Sequence, residues 1–377
     1  MVNIKSKKER EKSKEILLEG KRLIIEALKA NGIMKALYFS KKEIMDDFPA
    51  NLVNCPIFKV PHKAFKMWAD TETPQGVLAI FEMPPKGETT AERSNLLPLI
   101  VICDQIYDPG NMGLLIRTAA AVGCQKFITM KECVDVWDPK VIRSATGAHF
   151  RLPIINSLSW EFVSNYFPDN SAVFIADSRR PSELNLERIS AGGADVDSEI
   201  LDPENCEQFI EDDTESKLSI DKSFSSEERL EMYKKIPMQV SLYSEVDYTS
   251  QGHTVLIVGG DKKNMSIKAR KLAFDNYGQY VMLPMLMGVN RLNTSITGSI
   301  MLYEIHKQYS AKTEKKEIIV GETLNNVNGV EKTEENIKEA EVPHFLVKTL
   351  LSLGNLPILV NYVIIRFLLI FHINCRI

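Results

Sequence analysis

The chain has 377 residues, 44% of them hydrophobic, which supplies apolar material for two cores and excludes a disordered or fibrous polypeptide. Net charge is −4, yet Asp195 to Glu215 hold ten acidic side chains and no Lys or Arg, so the remainder carries +6 and can meet phosphate. Six cysteines, at 55, 103, 124, 133, 206 and 375, show neither CxxC spacing nor His partners, which excludes structural zinc and predicts free thiols in a reducing compartment.

Residues 1–86 read as a small α/β domain. Lys5 to Lys14 are basic but interrupted by Glu9 and Glu11, a poor presequence and a better solvated helix start. Leu17, Leu18, Ile24, Ile25 and Leu28 recur at helical spacing, and Asn31-Gly32 ends that helix. Apolar runs at Ala36–Phe39, Ile57–Val60 and Gly76–Phe81 read as strands, with helices over Lys41–Phe48 and His62–Trp68 between them. Such alternation implies an α/β sandwich.

Residues 87–97 form a linker introduced by Pro84-Pro85-Lys86-Gly87, and a second α/β unit spans 98–310. Its expected strands are Leu99–Cys103, Lys126–Met130, Ala172–Ala176, Val255–Val258 and Tyr280–Leu283. Helical patterns separate most of them, as a parallel sheet requires. A mobile acidic insertion over about 179–245 breaks the alternation. It is either a solvated linker or a mimic of nucleic acid that restrains RNA binding. Residues 311–341 are charged and aperiodic and read as a linker. The tail, 342–377, is almost wholly apolar from Phe345 to Ile373, long enough to span a membrane. Lys348, Asn361, Arg366 and Pro357 interrupt it, so membrane contact competes with packing on the body, and the latter is preferred.

Three blocks carry the chemistry. In the first, Asp108-Pro109-Gly110-Asn111-Met112-Gly113 follows a strand and opens a helix over Met112–Val122, with Asn111 suited to cap it and Gly123 to stop it. Arg117 sits among Leu114, Leu115, Ile116, Ala119, Ala120 and Ala121, a position that demands either a buried ion pair or a functional role. In the second, Val255 to Val258 run into Gly259-Gly260-Asp261, where glycine lets a ligand approach the backbone. In the third, Leu283-Pro284-Met285-x-x-Gly288-Val289-x-x-Leu292-Asn293-x-Ser295 precedes a helix over Ser295–Glu304 with small residues on one face.

The first block, the continuation Ile142-Arg143-Ser144-Ala145-Thr146-Gly147-Ala148 and the third block resemble the SpoU/TrmH family of RNA 2′-O-ribose methyltransferases. Leu18-Glu19-Gly20 and Thr73-Pro74-Gln75-Gly76-Val77-Leu78-Ala79 resemble that family's N-terminal substrate-binding domain. Among its members, the acidic insertion is similar to that of animal mitochondrial large-subunit rRNA 2′-O-methyltransferases. The second block departs from the family's Gly-x-Glu-Gly-x-Gly: Asp261 replaces the Glu, and Lys262 and Asn264 replace two glycines. In the third, Arg291 stands at the usual Ser position.

The resemblance implies an α/β fold: a small N-terminal RNA-binding domain and a parallel-sheet domain whose C-terminal segment threads a trefoil knot. It implies S-adenosylmethionine as cofactor, RNA as substrate (rRNA rather than tRNA), no metal, a homodimer and a mitochondrial location, with a cytoplasmic or nuclear one as the alternative. Arg117 would act as, or position, the base that takes the 2′-hydroxyl proton, beside Asn111. Asn293 would brace the loop or touch the substrate, and Gly259, Leu283 and Leu292 would line the adenosyl pocket. The competing reading is a non-catalytic RNA-binding or ribosome-assembly factor that retains the fold, motivated by Lys262, Asn264 and Arg291.

Overall fold

A computed structural model describes residues 3–48, 55–92, 94, 96–177, 238–260, 265–285 and 291–330. Met1–Thr313 form one compact unit containing two sheets.

The first sheet has four strands: β1 (Glu15–Glu19), β2 (Met34–Phe39), β3 (Ile57–Lys59) and β4 (Val77–Glu82), in the order β1-β4-β2-β3. β4 pairs antiparallel with β1 and β2, and β3 adds parallel to β2 as the outer strand. Helices α1 (Lys7–Ser13), α2 (Lys21–Lys29) and α3 (His62–Trp68) accompany it. Two readings of this region are corrected. Leu17 and Leu18 belong to β1, not to the helix of Ile24 and Leu28, because Gly20 adopts φ 97° and separates strand from helix. The basic N-terminal segment is not wholly solvated: Arg10 in α1 is 4% exposed and ion-paired with Asp135 of the second sheet's domain. Over Lys42–Asp47 the expected helix is a 3-10 helix.

The second sheet has seven strands, all parallel, in the order β7-β6-β5-β10-β8-β11-β9. They are β5 (Leu97–Asp104), β6 (Cys124–Met130), β7 (Ile154–Leu158), β8 (Ser171–Asp177), β9 (Val240–Leu242), β10 (His253–Gly259) and β11 (Gln279–Met282). Its helices are α4 (Pro109–Ala121), α5 (Pro139–Ala145), α6 (Ile267–Asp275) and α7 (Thr294–Val330). All five expected strands are present. β7 and β9 are additions: β9 lies within the range expected to be a mobile insertion, where three residues pair with β11. The acidic run itself, within 178–237, lies outside the described residues.

Alternation along β5 explains why both faces are covered. Leu99, Val101 and Cys103 join one core with Met112, Leu115 and Ile116 of α4, while Ile100 and Ile102 join another with Ala269, Leu272 and Ala273 of α6. The first core continues into the four-stranded sheet through Ile16, Ile24 and Phe81, whose ring lies 5.7 Å from that of Phe150. Polar contacts add to this seam: Arg143 reaches Glu19 and Asp70, and Arg151 reaches Glu26.

The last helix corrects a boundary. α7 runs on to Val330, through part of the segment read as an aperiodic linker. Residues 261–264 and 286–290, on which the expected knot partly depends, lie outside the described residues, as does the apolar tail. No described helix is long and apolar enough to cross a membrane. Among the described residues Cys55, Cys103, Cys124 and Cys133 are free thiols.

Candidate functional site

The first block is built around the start of α4. Pro109 occupies the first turn, where its missing N–H costs nothing, and Asp108 rather than Asn111 is the cap, its carboxylate accepting from the Asn111 backbone N–H at 2.8 Å. That correction releases the Asn111 side chain for other work. Gly113 lets α4 and α5 nearly touch: a Cβ there would sit 2.4 Å from Ser144 Cβ and 2.6 Å from the Val141 carbonyl. Ser144 donates to the Gly110 carbonyl at 2.9 Å, so the Ser-x-x-Gly-Ala segment clamps the turn that presents Asn111.

The third block meets the first at this turn. Asn293 Nδ2 donates to Asn111 Oδ1 at 2.9 Å, and Ser295 Oγ lies 3.3 Å from the same oxygen. Asn293 Oδ1 accepts from the Ser295 N–H at 2.8 Å and from its hydroxyl at 2.6 Å. The single Ser295 hydroxyl proton goes to the shorter contact at Asn293, so Ser295 fixes the Asn293 amide and that amide in turn orients Asn111. Farther along, Thr118 and Ser299 hydroxyls are 3.0 Å apart, and Gly298 admits Leu115 and Val258 side chains, so α7 is fastened to α4 over two turns.

Arg117 is exposed, and among the described residues it forms no ion pair, which rules out the buried salt bridge. It lies on the exposed face of α4 with Leu114 and Ala121, six residues and about 9 Å along the axis from Asn111 and about a third of a turn round the helix from it. Within one chain, therefore, Asn111 and Asn293 come together and Arg117 stands apart from both.

The second block lies at the carboxyl ends of the parallel strands, where ligands bind in open α/β sheets. Gly259 faces Asp104 across the β5–β10 pair, and a Cβ there would fall 2.0 Å from the Asp104 carbonyl. No other residue fits. Asp104 is fully buried; Oδ2 accepts from the Ser266 N–H at 2.8 Å at the start of α6, while Oδ1 has no partner among the described residues. Burial pushes its pKa up to about 6 against the pull of the Ser266 hydrogen bonds. Leu283 is buried just beyond β11, and Leu292 packs against the same core as α4. Arg291, which motivated the non-catalytic reading, donates to the Gly260 carbonyl at 2.8 Å and so braces the glycine turn. Lys262 and Asn264 lie outside the described residues.

Sequence reading missed Asp104 and Ser295 as members of this arrangement. A charge closing the apolar run Leu99–Cys103 was the available signal for Asp104. Nothing local marks Ser295, because its role arises from Asn111, 184 positions away. His149, 1% exposed, donates its Nε2–H to the Val136 carbonyl at 2.7 Å, and burial holds its pKa down to about 4.

Comparison with known proteins identifies the chain's relatives. Residues 98–191 match the SpoU rRNA Methylase family and residues 1–79 the MRM3-like substrate binding domain. The chain is 35% identical to rRNA methyltransferase 3, mitochondrial, of Xenopus laevis, over 84% of this chain and 74% of that protein. It is 36% identical to the human protein of the same name, over 83% and 72% of the two. The crystal structure of the SpoU methyltransferase AviRb from Streptomyces viridochromogenes, in complex with AdoMet, shares the fold at TM-score 0.56 and 20% identity, over 81% of this chain and 94% of that one.

Proposed function

The chain belongs to the SpoU rRNA methylase family, and we propose that it transfers a methyl group from S-adenosylmethionine to a ribose 2′-hydroxyl of rRNA, in mitochondria. The observation that carries this reading is the junction of Asn111, Asn293 and Ser295, which joins two blocks 182 residues apart at one helix start. A structural protein has no need of three uncharged polar side chains held so tightly at a partly open turn.

The residues at the strand ends fit the cofactor. A glycine turn offers backbone groups to a heterocycle, Leu283 and Leu292 supply apolar walls, and the buried Asp104 carboxylate favours a nearby cation. S-adenosylmethionine supplies a methyl group already activated by the sulfonium charge. The protein then has to align the ribose oxygen and relieve it of one proton. Asn111, fixed by Asn293 and Ser295, orients the ribose. Arg117 stabilises the developing alkoxide as a guanidinium, with the proton leaving to solvent or phosphate; deprotonated Arg is too costly a base.

Exposure of Arg117 also supports a homodimer. Leu114, Ile296, Ile300 and Tyr303 form an apolar surface beside it on α4 and α7, with Tyr303 56% exposed. A second copy seated there would bring Arg117 toward a neighbouring Asn111. The four-stranded domain would hold the RNA. Mapping alkali-resistant ribose positions in mitochondrial rRNA after depletion tests the assignment. Loss at one nucleotide supports it, and an unchanged map removes it. The non-catalytic alternative predicts that calorimetry finds no S-adenosylmethionine binding.

A further inference from the structure

We propose that the outer edge of the four-stranded sheet, around Phe58 and α3, is a stacking platform for unpaired RNA bases. The proposal rests on the reading of RNA as substrate and adds a particular surface and a particular kind of RNA to it.

β3 ends the sheet, so its far edge has no strand partner among the described residues. All three of its side chains are exposed. Phe58 pairs in register with Tyr38, the rings stacked at 5.2 Å and 23°, and Trp68 meets Tyr38 edge-on at 5.8 Å. Tyr38 and Trp68 are partly covered by the small core of Leu17, Phe65 and Leu78, which fixes their rings. Phe58, by contrast, remains 46% exposed and Met67 69% exposed. An aromatic ring backed by a second ring and open on its other side is what a base requires to stack.

Charge decides the occupant. From Ile57 to Trp68 the chain carries Lys59, Lys63, Lys66 and His62 and no acidic residue. The three lysines are exposed and have no ion pair among the described residues. The apolar surface of Ile296, Ile300 and Tyr303 suits a second copy of the chain. The Phe58 edge, cationic with aromatic rings, instead suits a polyanion whose monomers present π-faces. Duplex RNA keeps its bases stacked internally and cannot use Phe58, so the ligand is single-stranded.

Binding of a labelled twelve-nucleotide oligouridine to the full chain, against an RNA duplex of the same length, tests this. Phe58→Ala should weaken the single strand about tenfold and leave the duplex unchanged, with Phe58→Tyr restoring it. Lys63→Gln with Lys66→Gln should lower the slope of log affinity against log salt by about 1.4. Equal oligouridine affinity in Phe58→Ala and the unaltered chain overturns the proposal. A change of sedimentation coefficient with RNA affinity intact assigns the edge to a second copy and overturns it equally. Methylation of rRNA by a chain that does not bind oligouridine sinks the platform and leaves the methyltransferase standing.

Discussion

The carboxyl end of the seven-stranded sheet and the outer edge of the four-stranded sheet handle polar groups in opposite ways. At the first, Asp104, Asn111, Asn293 and Ser295 are tied to one another or to backbone, and Gly259 leaves no room for a single added carbon. At the second, Lys59, Lys63 and Lys66 are solvated and Phe58 is half open. Methyl transfer depends on in-line placement within fractions of an ångström, which only mutual hydrogen bonding supplies. Capture of a long RNA sums many weak contacts and tolerates looseness in each. Arg117 belongs to neither regime within one chain: it is exposed on α4, six residues on from the preorganised turn.

Substitutions at the two regions should therefore differ in size. Arg117→Ala should lower methyl transfer about a thousandfold while S-adenosylmethionine affinity by calorimetry stays the same; retained turnover would take Arg117 out of the chemistry. Gly259→Ala forces the β5–β10 pair apart and should weaken cofactor binding about a hundredfold, with rRNA affinity preserved. If the cofactor still binds normally, the strand ends are not its seat. Asn293→Ala removes the amide that donates to Asn111 Oδ1, so kcat should fall about tenfold with KM for the cofactor unaltered. A larger change in KM than in kcat would mean that Asn293 touches the cofactor rather than orienting Asn111.

The smallest effect expected is on stability against pH, from two buried groups of opposite sign. His149 is neutral when folded, so the unfolded chain takes up its proton first and stability falls as pH drops from 6.5 through about 4. Asp104 is protonated first in the folded chain, so its contribution rises as pH drops from about 6 to 3.8. Each is on the order of 3 kcal/mol, and between pH 4 and 6 they nearly cancel. Asp104→Asn should expose the His149 slope in urea melts across that range. A flat profile in the variant would show that His149 does not titrate as its burial requires.

How much of this was legible beforehand follows from the range of each cause. β5 and β10 were visible because a parallel strand covered on both faces is a continuous apolar run. β9 was invisible: Val240–Leu242 is three residues long and owes its existence to β11. Leu17 and Leu18 fell into a helical period that Gly20 breaks, a local conflict that pairing with Ile80 and Ala79 decides. Asn111, Asn293 and Arg117 were identifiable through family resemblance, yet their spatial relation was not. Only the fold shows the first two in contact and the third on an outward face.

The central claim is best tested with the purified full chain, rRNA and S-adenosylmethionine carrying a tritiated methyl group. After alkaline hydrolysis, label should appear in one dinucleotide, since a methylated 2′-oxygen cannot attack the adjacent phosphodiester, and Arg117→Ala should yield none. Label released as a mononucleotide, or none from a chain that binds both cofactor and rRNA, would contradict ribose methylation by this protein.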